Sequence, residues 1–218
     1  MDWSQSLNAG ITRCRRCPRL VQWREEVARV KKREFRDWTY WGRAVPSFGD
    51  ANARLLIVGL APGAHGANRT GRMFTGDSSG KWLYRALHKA GIANQPSWER
   101  RDDGLRLIDC YITAACHCAP PGNKPLPAEI RNCNGFLREE LERMKNLRVV
   151  IALGNIAFDT YLRTRGVKPL PSFAHNRVYD FEPVLIASYH PSRQNTNTGK
   201  LTEPMFDAVF ARVKQILA

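Results

Sequence analysis

The sequence lacks any long uninterrupted hydrophobic run. None of its apolar stretches approaches the ~18 residues that a membrane-spanning helix needs. The opening residues, MDWSQSLNAG, contain no apolar segment of the kind that signal peptides carry. There is also no internal repeat and no low-complexity segment. These absences argue against a membrane protein and a repeat architecture, so we expect a soluble intracellular protein with no membrane partner.

Acidic residues are scarce relative to basic ones. The 218 residues include 20 Asp and Glu against 34 Lys and Arg, which gives a net charge of +14. The basic residues are spread along the chain and not gathered in a tail, so we expect them on a folded surface. A strongly cationic surface favours a polyanionic partner, most commonly nucleic acid. The alternative is a merely basic soluble protein.

The chain lacks a complete nucleotide-phosphate loop. Residues 76–82, GDSSGKW, superficially resemble one, but the spacing is one residue short and neither Ser nor Thr follows Lys81. We therefore reject nucleoside triphosphate hydrolysis. A nucleotide-dependent transferase is weakened for the same reason.

Four apolar runs predict the strands of a parallel sheet. They cover residues 55–58, 107–115, 148–153 and 184–189. Helical patterns alternate with them, at residues 81–90, from 127 onward, at 156–164 and at 204–217, after an amphipathic helix over 20–37. We expect residues 166–182 to be irregular or a hairpin. The alternation predicts an α/β protein with a central four-stranded parallel sheet between helices. Residues 1–218 would form one domain, with residues 1–50 as an N-terminal arm.

The stretch from Arg54 to Gly80 is central to the prediction. Its apolar run ends in a glycine-rich loop, and Asp77–Ser78–Ser79–Gly80 then signals a helix start. Ligands of open α/β sheets bind just beyond the carboxyl ends of the strands, so this loop is the first candidate site. Asp77 also has a simpler interpretation as a helix N-cap. Phe74 is either a core residue or a stacking plate for a base.

A histidine follows the last predicted strand. His190–Pro191–Ser192 begins where the run at 184–189 ends, so it should lie at the same edge of the sheet as the first loop. A histidine there can donate a hydrogen bond into a cleft. A structural histidine bonded to backbone is the alternative, but the shared edge favours a functional role.

The six cysteines are at positions 14, 17, 110, 116, 118 and 133. In an intracellular chain disulfides are disfavoured. The Cys14-x₂-Cys17 spacing is typical of half a metal site, and Cys118 with Cys133 supplies a second pair. Four thiolates can hold zinc or a [4Fe–4S] cluster, and the spacing does not choose between them; inert buried cysteines are the alternative. Of the other two, Cys116 is not taken as a ligand, and Cys110 is expected in the core.

Three motifs together resemble the uracil-DNA glycosylase superfamily, specifically family 5, the prokaryotic type b branch. They are GLAPGAHGANRTGRMFTGDSSG at 59–80, CAPPGN at 118–123 and HPSRQNTNTG at 190–199. The resemblance extends over nearly the whole chain and implies a three-layer α/β/α fold. It also implies a monomer of the prokaryotic cytoplasm, associated with the nucleoid. The cysteines at these separations resemble the ligands of a structural [4Fe–4S] cluster, namely Cys14, Cys17, Cys118 and Cys133.

The resemblance further implies a DNA repair enzyme. Such an enzyme everts uracil or another damaged base from DNA and hydrolyses its N-glycosidic bond, leaving an abasic site. Double-stranded DNA with a mismatched or damaged base would be the substrate, and single-stranded DNA a second one. Hypoxanthine, xanthine and hydroxymethyluracil would also be accepted, because Ala114 stands where family 4 has the asparagine that reads uracil. A non-catalytic nucleic-acid-binding module held together by a metal is the alternative.

The motifs also imply roles for individual residues. Ala61 stands where other families have a polar, water-activating residue, so catalysis would depend on Asp77 and His190. The base would stack on Phe74. The remaining base-binding positions are Gly63, Asn123 and Ala61. The expected DNA contacts are Arg69, Arg72, Arg193, Gln194 and Asn195.

Overall fold

The fold is taken from a computed structural model that describes residues 2–218. The α-helices are α1 (Trp3–Arg13), α2 (Pro18–Val30), α3 (Ala67–Thr70), α4 (Ser78–Lys89), α5 (Pro127–Arg143), α6 (Asn155–Thr164), α7 (Arg193–Asn197) and α8 (Glu203–Leu217). The strands are β1 (Phe48–Gly49), β2 (Leu55–Gly59), β3 (Cys110–Ala114), β4 (Val149–Leu153), β5 (Val178–Tyr179) and β6 (Val184–Ser188). Within residues 2–218, no helix combines the length and the apolar character needed to cross a membrane.

The strands form one mixed sheet in the order β1-β3-β2-β4-β6-β5. Its four central strands are parallel, which confirms the four predicted strands as the centre of an α/β fold. Strand β2 lies in the middle, with Leu55 opposite both Cys110 and Val149. The two outer strands are antiparallel, two residues long and additional to the prediction; β5 falls in the segment expected to be irregular or a hairpin.

Both faces of the central sheet are covered by helices. Alternate strand residues point to opposite sides, so Leu55 and Ile57 face one core while Leu56 and Val58 face the other. Helices α4 and α8 pack on the first face, and α5 and α6 on the second. Cys110 is fully buried in the first core, as expected. This layering aims the carboxyl ends of the parallel strands at one edge.

The second predicted strand is shorter than the apolar run that predicted it. Asp109 adopts a positive φ of 52°, so the regular strand begins only at Cys110. The Asp109 carboxylate accepts from the Arg54 backbone N–H and from its Nε, both at 2.7 Å. The irregular backbone therefore fixes the start of β2 against the start of β3. Leu107, also placed in the strand, forms only an isolated bridge with Ala93.

The N-terminal segment contains two helices where one was predicted. Helix α2 ends at Val30, and not at residue 37, because Lys31 takes a positive φ of 59° that no α-helix continues. Helix α1 was not predicted at all. It buries Leu7 and Ile11 in a third, smaller apolar cluster together with Leu20 of α2 and Phe136 of α5. The segment thus packs against the loop that follows β3 and against α5.

Candidate active site

A cavity of about 520 Å³ opens at the carboxyl edge of the parallel strands. Its walls come from the loops that follow β2, β3 and β6, which is the position that open α/β sheets use for ligands. The first and last of these loops contribute Phe74, Asp77 and His190 to the same cavity. Its volume lies in the usual range of small-molecule sites, about 300–1,000 Å³. The remaining lining includes Ala61, Gly63, Ala114, Asn123, Arg193 and Gln194.

Phe74 is held in a constrained position. Its φ is 54°, a left-handed conformation that bulky residues rarely adopt. Its ring packs so closely on Gly59 that a Cβ there would lie 2.7 Å from the ring, and a Cβ at Gly80 would overlap the Phe74 carbonyl. The Phe74 and His190 rings have centroids 5.8 Å apart and an interplanar angle of 31°. Two flat side chains therefore stand side by side in the cavity.

The two oxygens of the Asp77 carboxylate have different surroundings. Its Oδ1 caps α4 by accepting from the Gly80 N–H at 3.1 Å, which agrees with the simple N-cap interpretation. Its Oδ2 lies against the loop after β2, where Cβ atoms on Gly63 and Gly66 would be only 2.8 and 2.4 Å away. Burial raises the pKa of Asp77, against the lowering effect of the helix N–H groups and of Arg193. The carboxyl group is thus poorly hydrated and faces the cavity.

His190 is a neutral imidazole at physiological pH. Burial lowers its pKa to about 4, because a charged ring there would lose its hydration. The backbone carbonyl of His190 accepts from the Ser192 N–H and from Asn195 Nδ2, both at 2.8 Å. Asn195, predicted to contact DNA, therefore positions the histidine loop and does not line the cavity. Within residues 2–218 the ring nitrogens make no hydrogen bond, so a ligand can meet them.

Part of the cavity wall consists of small apolar side chains. Ala61 and the 2%-exposed Ala114 both line it, and neither offers a hydrogen bond from its side chain. Asn123 lies at its rim on the turn Pro121–Asn123, where it takes a positive φ of 57°. It is exposed and supplies the nearest amide to the cavity from the loop after β3.

Comparison with known proteins shows the family of the chain. A model described as the uracil DNA glycosylase superfamily matches residues 46–214. The type-5 uracil-DNA glycosylase of Mycobacterium tuberculosis is 51% identical over 215 residues, 96% of this chain and 80% of the relative. That of Thermus thermophilus is 51% identical over 209 residues, 94% of each chain. A type-4 uracil-DNA glycosylase of Archaeoglobus fulgidus is 32% identical over 165 residues, 68% of this chain and 70% of the relative.

This chain belongs to the uracil-DNA glycosylase superfamily. In this superfamily member, the loop after β6 brings two exposed side chains, Arg193 and Gln194, to the cavity. Arg193 and Gln194 both line it and both lie on the short helix α7, whose Ser192 cap accepts from the Asn195 N–H at 3.4 Å. They are the predicted DNA contacts that remain accessible.

Arg69 does not occupy a DNA-facing position in this superfamily member. Its side chain is 3% exposed, and its guanidinium lies 3.8 and 4.0 Å from the ring centroids of Phe35 and Trp38. It donates to the carbonyls of His65 at 2.9 Å and Gly76 at 3.1 Å. Arg69 therefore holds the glycine-rich loop in shape, and the expected phosphate contact is corrected to a structural one.

Arg72 is likewise buried, with 4% exposure. It forms a two-pronged ion pair with Asp103, with N–O distances of 2.9 and 2.7 Å. The Arg72 guanidinium keeps the pKa of Asp103 well below its ordinary value, although burial alone would raise it. This pair ties the first loop to the segment between α4 and β3, so the predicted DNA contact of Arg72 is also corrected.

Five cysteines gather on one side of the N-terminal helices. They line a narrow cavity between α2, α5 and the loop after β3, and they are Cys14, Cys17, Cys116, Cys118 and Cys133. The four predicted ligands are thus brought together, and Cys116 joins them. Among residues 2–218, no group of three or more His, Cys, Asp or Glu side chains is arranged to hold a metal ion.

A buried cation lies beside these thiols. Arg24 is 1% exposed, and it donates from Nη1 to Cys118 Sγ at 2.8 Å and from Nη2 to the Cys14 carbonyl at 3.0 Å. No carboxylate pairs with Arg24 in the described part of the chain, and its Nε has no partner there. A buried charge needs a compensating one, so this environment suits an anionic group on the thiols.

Several lining residues were absent from the prediction. Ser78, Ser79, Ser192 and Lys124 all border the cavity. The serines follow directly from Asp77 and precede Arg193, so the loop assignment could have included them. Lys124, a cation just after the CAPPGN motif, was an available signal for a phosphate contact.

Proposed function

We propose that this protein is a DNA glycosylase that excises uracil from DNA. One observation carries the proposal: an aromatic ring, a poorly hydrated carboxylate and a neutral histidine meet in a single cavity that is large enough for an everted nucleotide. Membership of the superfamily and relatives that are type-5 uracil-DNA glycosylases support it. A binding module without catalysis would not need these two titratable groups in the same cavity.

The base must leave the duplex before it can enter the cavity. Extrusion costs a few kcal/mol in lost pairing and stacking, and least for a mismatched base such as uracil opposite guanine. Phe74 would offset part of this cost by stacking on the everted ring. Arg193 and Gln194, at the cavity mouth, would enter the gap that the base leaves. Asn123 and the backbone N–H of Gly63 would bind the base edge.

His190 would stabilise the leaving group. Cleavage of the C1′–N1 bond sends its electron pair to the uracil ring, whose oxygen becomes negative. A neutral imidazole retains one N–H, which it can donate to that oxygen. Donors aimed at charge that develops in the transition state are usually the largest contribution to catalysis, and the low pKa of His190 keeps the ring in this form.

Asp77 would act on the sugar. The departing base leaves an oxocarbenium-like deoxyribose, which a nearby carboxylate stabilises electrostatically. A water then adds its oxygen to C1′ and releases a proton to the carboxylate or to solvent, giving the abasic site. Because Ala61 has no polar side chain, Asp77 is the candidate in this cavity to orient that water.

The small apolar wall should widen the range of accepted bases. Neither Ala61 nor Ala114 offers a side-chain hydrogen bond that would reject the wrong base edge. Pockets that lack such polar readers discriminate weakly. We therefore propose that hypoxanthine, xanthine and hydroxymethyluracil are excised as well as uracil.

An excision assay tests the proposed reaction. The protein is incubated with a uracil-containing oligonucleotide, single- or double-stranded, and then treated with alkali, which cuts the strand only at an abasic site. We expect cutting with wild-type protein and a loss of about 10²-fold or more in the single-turnover rate for Asp77→Asn. Binding of the duplex with no alkali-labile site would instead support the non-catalytic module.

We propose that the thiols gathered in the narrow cavity between α2, α5 and the loop after β3 hold a [4Fe–4S] cluster. Cys14, Cys17, Cys118 and Cys133 would hold it, and buried Arg24 would balance its negative charge. The hydrolysis needs no electron transfer, so the group would serve to fasten the N-terminal helices to the loop after β3.

Two alanine variants test this assignment. After anaerobic purification, Cys118→Ala should lose most of its iron and acid-labile sulfide, whereas the matched Cys116→Ala should keep them. Stoichiometric zinc in colourless wild-type protein would contradict the cluster, and iron loss in the Cys116 variant alone would contradict the choice of ligands.

A further inference from the structure

A second cationic surface lies behind the loop that forms the base cavity. Two adjoining cavities, of about 530 and 360 Å³, share Thr12 and Arg13 of α1 and together make one groove. Their lining contains six arginines and one carboxylate, Glu25. We call this surface the arginine groove, and its arginines are Arg13, Arg15, Arg24, Arg43, Arg72 and Arg101.

Half of these arginines are already neutralised or engaged. Arg15 pairs with Glu25, Arg72 pairs with Asp103, and Arg24 donates to the Cys118 thiol. Across residues 2–218, no ion pair reaches Arg13, Arg43 or Arg101, and all three are exposed. Three uncompensated charges thus converge on the groove.

Trp41 positions two of the free guanidiniums. Its ring centroid lies 4.2 Å from Arg101 and 5.7 Å from Arg43. The ring itself is fixed by its Nε1, which donates to the Ala44 carbonyl at 3.0 Å, and by close packing on Gly71. Arginines stacked on an aromatic ring keep their N–H edges free for planar acceptors such as phosphate. Although residue 101 is exposed as a whole, partial burial of its guanidinium and the neighbouring Arg72 charge lower the pKa of Arg101, as expected for a cation without a counterion.

The groove and the base cavity share one loop as their partition. Ala67 and Met73 line the base cavity, whereas Gly71 and Arg72, between them in sequence, line the groove. Unpaired guanidiniums from α1 and from two loops are spread over the two adjoining cavities, which suits a polyanion that carries many regularly spaced phosphates. We propose that the arginine groove binds the phosphate backbone of DNA beyond the damaged base, an inference that rests on the proposed function.

The test compares two variants with equal loss of charge. The groove variant carries Arg13→Ala, Arg43→Ala and Arg101→Ala. The control carries Arg138→Ala, Lys145→Ala and Arg163→Ala, three exposed cations without ion pairs in the described chain and outside both cavities. Affinity for an undamaged duplex of about 30 base pairs is measured by anisotropy against salt concentration, alongside single-turnover uracil excision at saturating protein.

The groove variant should reduce the slope of log K against log salt by about 2.7, since each lost phosphate contact removes about 0.9. The control should change it by less than about one. A Lys replacement at the same three positions should restore most of the slope, which separates charge loss from misfolding. Excision at saturation should stay within about twofold.

Equal slopes for the groove and control variants would overturn the proposal. So would a groove variant that loses binding of inorganic phosphate while its DNA slope is unchanged, because the groove would then be a small-anion site. Failure of the wild type to excise uracil would overturn the proposed function instead, since the binding slopes do not depend on catalysis.

Discussion

His190 lies just after β6 with its side chain enclosed by the cavity, where an imidazolium would lose much of its hydration. We therefore expect its ring to titrate near pH 4, below the ordinary value of 6.5. Nuclear magnetic resonance of the ring C–H signals against pH measures this directly, with His190→Gln to assign the resonance. A midpoint near 6.5 would contradict the neutral donor that the mechanism needs.

Gly66 leaves the space that the Asp77 carboxylate occupies. A methyl group at residue 66 would lie 2.4 Å from Asp77 Oδ2, so Gly66→Ala must displace the carboxylate. Since misplacement by about 1 Å can cost 10²-fold in rate, we expect the single-turnover excision rate to fall at least tenfold.

A double variant separates displacement of the Asp77 carboxylate from general damage to the loop. If Gly66→Ala acts through Asp77, adding it to Asp77→Ala should change the remaining rate little. A further large loss in the double variant would count against this explanation. Gly10→Ala, in α1 with nothing within 4 Å of the new methyl group, is the control for glycine replacement itself.

At the scale of elements, a buried acid joins α5 to the sheet. Glu140 is 0% exposed, and its carboxyl accepts from Ser47 and Thr113, while its Oε2 has no partner within residues 2–218. Burial raises its pKa from 4.5 to about 7. The protonated form is therefore favoured in the folded protein more than in the unfolded chain.

The sign of the resulting pH dependence follows from linkage. The stabilisation is complete below the unfolded pKa of 4.5 and is lost as the pH rises through about 7. We expect the free energy of unfolding, measured with urea, to fall by roughly 3 kcal/mol from this group over that range. Glu140→Gln should remove the dependence, whereas Glu139→Gln, on its partly exposed neighbour, should leave most of it. An unchanged profile for Glu140→Gln would contradict this account.

The elements that the sequence predicts well are those with strong local patterns. The runs at β2, β4 and β6 are mostly apolar and, except for Val184, buried, so their short continuous apolar character indicates parallel strands. Helix α1 gives no comparable signal, because WSQSLNAGITR has no side-chain cap and includes Asn8 and Gly10, weak helix formers. Strands β1 and β5 have two residues each, too few to show alternation.

At the scale of the whole molecule, the position of the cavity could be predicted because it follows from sheet topology. The roles of Arg69 and Arg72 could not, because they depend on tertiary partners. Loops that follow parallel strands meet at one edge whatever their sequence, so Phe74, Asp77 and His190 could be placed together. Nothing local indicates that Arg69 lies between two aromatic rings from more than 30 residues earlier. Arg69 was therefore predicted to contact DNA, whereas in the structure its side chain supports the glycine-rich loop.

The most direct test of the central claim is a crystal structure with DNA that carries 2′-fluoro-deoxyuridine, which resists hydrolysis. Our account predicts the uracil ring turned out of the duplex and stacked on Phe74, with a His190 ring nitrogen within hydrogen-bond reach of a uracil oxygen and the Asp77 carboxylate facing C1′. A uracil that stays in the helix, or that enters a site without these three side chains, would contradict it.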